Sequence, residues 1–355
     1  MKIVTIVGAG LMGTAIAYPL ADNGHTVRLV GTHLDAEIID SCKQKHFHPR
    51  LKRQLPQGVK PFYVEQIAEA LDGAEIIVSG VNSYGVHWIG KTLAPHIKPG
   101  QTIIAITKGL EVDGQGRFLI LPDVLRNELS TEVRHRIGHA AVGGPCIAGE
   151  LAGRRHSLVV FGSRDLAVAE KLANLFRTPY YHIWPTQKLE ALEICAALKN
   201  AYTLGVGLAS GLLEKSGGID SSGAHMYNLA AGIFGTAASE IAQILQVVDV
   251  EQSFAYGLPG VGDMYVTSMG GRTVRFGTLL GKGHTFKEAR QIMAGETLES
   301  IETIRVMGQT IPILERLGLL TGDDLTLMRT LVDIVVRGKP VDLPLDFFFN
   351  REQRL

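Results

Sequence analysis

The chain has 355 residues, with 35 Lys+Arg against 35 Asp+Glu and an apolar share of 46 %. That length accommodates two domains with sizeable cores, and the balanced charge excludes an overall field that would draw nucleic acid or an anionic membrane surface. Three cysteines, Cys42, Cys146 and Cys195, stand without C-x-x-C spacing, which predicts no disulfide framework and a reducing, cytoplasmic setting.

In chain order, "KIVTIVG" is a run of β-branched residues ending in glycine. It is too short for a signal peptide and reads as a buried parallel strand. "GAGLMGTAIAYPLADNG" follows, with Gly8, Gly10 and Gly13 in G-x-G-x-x-G spacing around Leu11 and Met12. Gly8 suits the tight turn, Gly10 lets a pyrophosphate approach the backbone, and Gly13 lets the helix pack on the strand. The first N–H groups of that helix are the phosphate donors. "TVRLVG", "AEIIVSGV", "QTIIAITKG", "HSLVVFG" and "PYYHIWP" read as further strands, with helical patterns such as "YVEQIAEALDG" and "DLAVAEKLANLF" between several of them. This rhythm predicts an α/β, Rossmann-type doubly wound sheet over residues 1–186.

The coenzyme is NADP(H) or NAD(H). NAD-specific domains place an acid at the end of the second strand, where this chain has Gly31, Thr32 and His33, and Asp35 reads as too far along. No acid would then repel a 2′-phosphate, and Thr32 and His33 are candidate donors to one, so NADP(H) is favoured slightly. The basic run "KQKHFHPRLKRQ" (43–54), with His46 and His48, has too few ligands for a metal site and reads as a solvated loop.

From residue 187 to 355 the pattern becomes long, helical and apolar, which predicts a mainly helical second domain carrying the substrate and the catalysis. Its segments include "LEICAALKNAYTLGVGLASGLLEK", "GAHMYNLAAGIFGTAASEIAQIL", "ESIETIRVMGQTIPILERLG" and "LTLMRTLVDIVV"; no stretch of the chain approaches ~20 unbroken apolar residues, so no membrane span is expected. Lys199 is the only charged residue between Ile194 and Leu213. On a helix it shares a face with Leu192, Cys195, Ala196, Tyr202 and Thr203. Its small neighbours read as room for a ligand, and an ammonium stripped of water there is suited to proton transfer. "GLPGVGDMYVTSMGGRTVRFG" (257–277) supplies Asp263, the only acid between Glu251 and Glu288, as a partner for Lys199, and Arg272 as a fork for a phosphate.

Taken together, the glycine turn, "ITKGLE" (106–111), "GGPCIAGE" (143–150), "EICAALKN" (193–200), "GVGDMYVT" with "GGR" (260–272) and "GETLES" (295–300) resemble the NAD(P)-dependent glycerol-3-phosphate dehydrogenase family over nearly the whole chain. The resemblance implies reversible hydride transfer between a nicotinamide and C2 of dihydroxyacetone phosphate, giving the phospholipid precursor sn-glycerol 3-phosphate. It implies that Lys199 is the general acid/base, assisted by Asp263, and that Lys108 lies between cofactor and substrate. Asn200, Asp263, Thr267 and Arg272 would line the substrate pocket, with Arg272 also reaching the cofactor; Ala148 and Glu296 fall at cofactor-contact positions. Three departures thin the implied polar lining. The family's G-P-S turn is Gly144-Pro145-Cys146, its Arg-Asn pair is Arg272-Thr273, and a helical Arg is missing from "AAGIFGTAA" (230–238). A sister dehydrogenase for another 2-keto polyol phosphate, or a nicotinamide-binding sensor without turnover, are the alternatives. The expected partner is a small phosphorylated substrate, with no nucleic acid and no metal, and a homodimer is the plain expectation for assembly. The tail "PVDLPLDFFFNREQRL" suggests docking on the body or on a partner subunit.

Overall fold

The computed structural model describes residues 1–345, so Phe347, Phe348 and Phe349 of the tail lie outside the described residues. The chain divides into two compact units. One is Met1–Lys108 with Ile120–Glu193; the other is Gly109–Leu119 with the chain from Ile194 onward.

Among the described residues twelve strands are formed: β1 (Ile3–Val7), β2 (Thr26–Val30), β3 (Phe47–His48), β4 (Arg53–Gln54), β5 (Val59–Phe62), β6 (Ile76–Ser79), β7 (Thr102–Ala105), β8 (Leu110–Val112), β9 (Phe118–Ile120), β10 (Gly138–Gly143), β11 (Ser157–Gly162) and β12 (Tyr181–Thr186). In the first unit eight of them make one sheet in the order β12-β11-β10-β7-β6-β1-β2-β5. It is parallel except where β10 meets β11. β1 pairs with β2 on one side and β6 on the other, so the strand order reverses beside the C-terminal end of β1. In open α/β sheets that reversal is where ligands bind.

The six strands read from periodicity are all present, and β5 and β10 complete the sheet. Neither carries a strong local signal. β5 contains Pro61, tolerated at the sheet edge where an N–H is dispensable. β10, "GHAAVG", is made of small residues and becomes a strand because β7 and β11 flank it. The basic run also departs from a solvated loop. Its Lys and Arg side chains are exposed, but β3 and β4 pair antiparallel, and His48 and Leu51 are buried.

The second unit is mainly helical. Its long helices are Leu189–Lys215 (which begins in the first unit), Tyr227–Val247, Arg272–Gly281, Glu299–Arg316 and Thr326–Val335. The β8–β9 ribbon belongs here as well. A Cβ at Gly116, in the turn of that ribbon, would fall 2.6 Å from Ile313, so the turn lies directly on the Glu299–Arg316 helix. Among the described residues no helix is long and apolar enough to cross a membrane.

The glycines of "TLGVGLASG" have a different purpose from room for a ligand. A Cβ at Gly207 would meet Val274 O at 2.3 Å, and one at Gly211 would meet Thr278 O at 2.2 Å. From the other side, a Cβ at Gly277 would meet Leu204 O at 2.2 Å, and one at Gly281 would meet Leu208 O at 2.4 Å. Two four-residue-spaced glycine pairs therefore bring the Leu189–Lys215 and Arg272–Gly281 helices into backbone contact. Gly277→Ala should lower the unfolding free energy by about 2 kcal/mol through overpacking, outweighing the ~1 kcal/mol by which helix propensity favours Ala. A denaturant midpoint equal to or above that of the parent would show that the crossing tolerates a methyl group.

Candidate functional site

Lys199 lies on the Leu189–Lys215 helix and is 4 % exposed. Its Nζ donates to Asp263 Oδ1 at 2.8 Å and to Thr267 Oγ1 at 2.6 Å. Asp263 is 2 % exposed and opens the Asp263–Ser268 helix; Thr267 stands one turn later and donates its own hydroxyl to Asp263 O at 2.7 Å. The Leu258–Gly262 segment forms a tight π-helical turn just before it, where a Cβ at Gly260 would sit 2.0 Å from Ala255 O. That approach, open only to glycine, places Asp263 on the first turn facing Lys199. The arrangement is an ammonium removed from water, with a carboxylate holding its charge and a hydroxyl fixing its direction.

Arg272 begins the Arg272–Gly281 helix directly after Gly270 and Gly271, both at positive φ (144° and 129°). Its side chain is exposed and makes no hydrogen bond or ion pair to any described residue, and the first N–H groups of the same helix accompany it. A guanidinium beside a helix N-terminus suits a phosphate. Thr273 donates to Ser300 Oγ at 3.4 Å. Asn200 is half-buried, next to Lys199. Arg275, the obvious second cation, is committed elsewhere: its Nη1 is 3.1 Å from Glu296 Oε1. That bond also occupies Glu296, one of the expected cofactor contacts.

In the first unit, Gly8 adopts φ 118°, and a Cβ there would lie 2.5 Å from Gly80 O at the end of β6. A Cβ at Gly13 would lie 2.1 Å from Gly8 O, whereas one at Gly10 would meet nothing within 4 Å. Gly8 and Gly13 therefore close the turn, and Gly10 leaves an open face beside the start of the Leu11–Ala15 helix. Leu11 is exposed, and Met12 packs against the core. This cradle fits a dinucleotide pyrophosphate.

Two side chains brace the turn, and neither was expected to. His48 Nδ1 accepts from Leu51 N at 2.9 Å, which puts the ring proton on Nε2, and Nε2 donates to Ala9 O at 2.9 Å. Burial pushes the His48 imidazole below its usual pKa, consistent with that neutral tautomer. Asp35 is the other. Its Oδ2 accepts from Ala9 N at 3.2 Å, Thr32 N at 2.9 Å and Thr32 Oγ1 at 2.8 Å. Asp35 thus reaches the glycine turn, a structural role that its reading as too far along for the ribose left out. The Thr-x-x-Asp spacing ahead of "AEII", a capping-box signature, was the available signal. His33 stands exposed with its ring edge-on to Trp88 at 5.2 Å.

Lys108 follows β7, where Thr107 Oγ1 donates to Val81 O at 2.6 Å and fastens the segment beyond β6. The Lys108 charge acts on Glu193, a fully buried acid that sequence reading did not single out. Burial holds the Glu193 carboxyl well above the usual carboxylate range, against the opposing pull of Lys108. Gly144 turns at φ 120° after β10. Cys146 and Ala148 follow, both half-buried and packed against the core of this unit.

Two family models, those of the NAD-dependent glycerol-3-phosphate dehydrogenase N-terminus and C-terminus, match residues 3–169 and 189–345. The NADP(+)-dependent glycerol-3-phosphate dehydrogenase of Archaeoglobus fulgidus is 36 % identical over 81 % of this chain and 83 % of its own length. The NAD(P)+ glycerol-3-phosphate dehydrogenase of Streptococcus suis is 30 % identical over 85 % of this chain and 84 % of its own. In fold, the glycerol-3-phosphate dehydrogenase of Coxiella burnetii superposes with a TM-score of 0.79 at 22 % identity, covering 99 % of both chains. The chain belongs to the NAD-dependent glycerol-3-phosphate dehydrogenase family.

Proposed function

We propose that the chain is an NAD(P)-dependent oxidoreductase that interconverts dihydroxyacetone phosphate and sn-glycerol 3-phosphate. The observation that carries this reading is the buried Lys199–Asp263–Thr267 constellation, in a chain of this family. The first unit serves as the dinucleotide-binding domain, with the open face at Gly10 for the pyrophosphate. The second serves as the substrate and catalytic domain. A bound nicotinamide supplies the hydride to C2 of the ketone, or takes it back in reverse.

The chain's own residues handle the proton and the phosphate. As C2 becomes tetrahedral, its oxygen gains negative charge and needs a proton. Lys199 Nζ supplies it, and Thr267 fixes the direction of the ammonium. The Asp263 carboxylate keeps Lys199 cationic in the resting state despite its removal from water, so a proton is in place before the hydride arrives. In oxidation the neutral amine accepts the hydroxyl proton, by microscopic reversibility. Arg272 and the helix N-terminus beside it take the substrate phosphate, while Asn200 and Thr273 supply neutral polar contacts. Ala148, in the first unit, is a coenzyme contact. The reading carries a small phosphorylated substrate, a cytoplasmic location and a homodimer as the simplest assembly. The first named relative is NADP(+)-dependent, which agrees with a slight preference for NADP(H).

Lys199→Ala should lower turnover with dihydroxyacetone phosphate by ~10² or more, with coenzyme affinity nearly unchanged. Near-normal turnover in that variant would remove Lys199 from the chemistry. The substitutions in the polar lining make a second, sharper expectation. A thiol is a weaker donor than a hydroxyl, and Thr273 lacks the amide of the family's Asn. Each lost hydrogen bond to a charged oxygen is worth ~1.5–3 kcal/mol, so Cys146→Ser combined with Thr273→Asn should raise kcat/KM for dihydroxyacetone phosphate by about tenfold or more. A double variant no better than its parent would mean that Arg272 and its helix already suffice. Reduction of another keto phosphate by the parent, with dihydroxyacetone phosphate inert, would transfer the activity to a sister substrate.

A further inference from the structure

We infer that Thr32 is a positioning residue for coenzyme selection: by holding the Asp35 carboxylate against the glycine turn, it withdraws the one acid near the end of β2 from the ribose and leaves the 2′ position open to a phosphate. This rests on the reading of the first unit as a dinucleotide-binding domain. It goes beyond that reading by assigning the selection to a latch within the protein rather than to the absence of an acid.

The acid is present. Asp35 is 8 % exposed and lies in the turn between β2 and the Ala36–Lys45 helix. A single oxygen, Oδ2, takes three donors: the backbone N–H and the hydroxyl of Thr32, and the backbone N–H of Ala9. The carboxylate thus spans from the β2 turn to the glycine turn, the two segments that flank the adenosine ribose in this class of domain. In an NAD-selective domain an acid here accepts from both ribose hydroxyls and repels a 2′-phosphate. Here one of its two oxygens is engaged by three donors of the protein, which turn the carboxylate toward the glycine turn and meet its charge with N–H and O–H dipoles.

Thr32 is the residue that makes this choice. Its hydroxyl supplies one of the three donors and also accepts from Leu34 N at 3.2 Å, which holds the turn in shape. Without that hydroxyl the carboxylate keeps only two backbone donors and is free to turn toward a ribose. The other charged and titratable neighbours support the same assignment. His48 braces the same Ala9 from its carbonyl side as a neutral ring, so it does not compete for Asp35 as a cation would. Arg50 is exposed on the basic run and leaves the carboxylate to its three donors.

The test is equilibrium binding of NADPH and NADH, followed by coenzyme fluorescence, with 2′-AMP as a fragment that carries the distinguishing phosphate. Thr32→Val, which keeps the shape and removes the hydroxyl, should lower the ratio of NADPH to NADH affinity by at least ~10-fold and weaken 2′-AMP in parallel. Thr32→Ser, which keeps the hydroxyl, should hold the ratio within about twofold of the parent. Adding Asp35→Asn to Thr32→Val should bring the ratio back to within about threefold of the parent, because the released side chain then carries no charge to repel the 2′-phosphate. A ratio unchanged in Thr32→Val, or an equal fall in Thr32→Ser, would overturn the latch. So would a ratio in the double variant as low as in Thr32→Val, which would mean that the Thr32 hydroxyl acts without the acid. A parent that binds neither dinucleotide would overturn the coenzyme reading itself, and the latch with it.

Discussion

The helical unit is organised around one buried ion pair, Lys199 with Asp263, whose side chains are 5 % and 3 % exposed. Taking two charges out of water costs several kcal/mol per ion, and the loss is offset only when geometry and supporting hydrogen bonds are good. Much of the local architecture meets that requirement. The glycine crossing brings the Arg272–Gly281 helix to backbone contact with the helix of Lys199. The Leu258–Gly262 turn presents Asp263 on the first turn of its helix, and Thr267 closes the ring by bonding both the ammonium and the Asp263 carbonyl. A pair expensive to assemble and so closely supported is better explained by proton chemistry than by stability, to which a buried salt bridge contributes little on balance.

Other buried acids of the chain show the contrast. Glu240 is fully buried, yet it accepts from Tyr202 Oη at 2.9 Å, Leu327 N at 2.7 Å and Met328 N at 3.0 Å. Leu327 and Met328 lie in the first turn of the Thr326–Val335 helix, which has no side-chain cap of its own and follows Leu325 at φ 56°. Glu240 is therefore a helix cap supplied from a distance, and its charge lies at the favourable end of the helix dipole. Glu193 differs from both. Neither of its oxygens has a hydrogen-bond partner, and burial favours its neutral form over the pull of Lys108. Three buried ionisable groups, Lys199, Glu193 and Glu240, thus solve the same desolvation problem by ion pairing, by neutralisation and by backbone capping.

What the sequence disclosed follows from which of these effects are local. An isolated charge in an apolar run marked Lys199, and an isolated acid after a glycine turn marked Asp263, because a charge without polar neighbours is costly wherever the chain folds. The six β-branched strands and the long apolar helices were legible for the same reason, since their periodicity is local. β5 and β10 were not, because neighbours rather than composition make them strands. The glycines of "TLGVGLASG" looked like open space, and only the partner glycines at 277 and 281 reveal a helix crossing. The bracing by Asp35 and His48 was missed because each acts on Ala9 across a long stretch of chain, a distance that spacing rules do not reach. The β8–β9 ribbon carries no such local signal either, and it packs on the Glu299–Arg316 helix in the second unit.

The departures from the family pattern gain meaning from the same geometry. A second cation in the helix of Arg272 would have been the simplest way to make up for a lost amide at Thr273 and a lost hydroxyl at Cys146. Arg275 is instead paired with Glu296 at 3.1 Å, with most of its side chain exposed. Cys146 packs toward the core of its own unit. Phosphate recognition in the proposed reaction therefore concentrates on Arg272 and the N–H groups of its helix, which follow two glycines held at positive φ. A guanidinium fork on a helix N-terminus recognises a phosphate by charge and planar geometry. Hydroxyl and amide contacts would instead read the rest of the substrate, and those are the contacts this chain has thinned. The balance favours firm selection for a phosphorylated ketone and looser selection for the carbon chain that bears it.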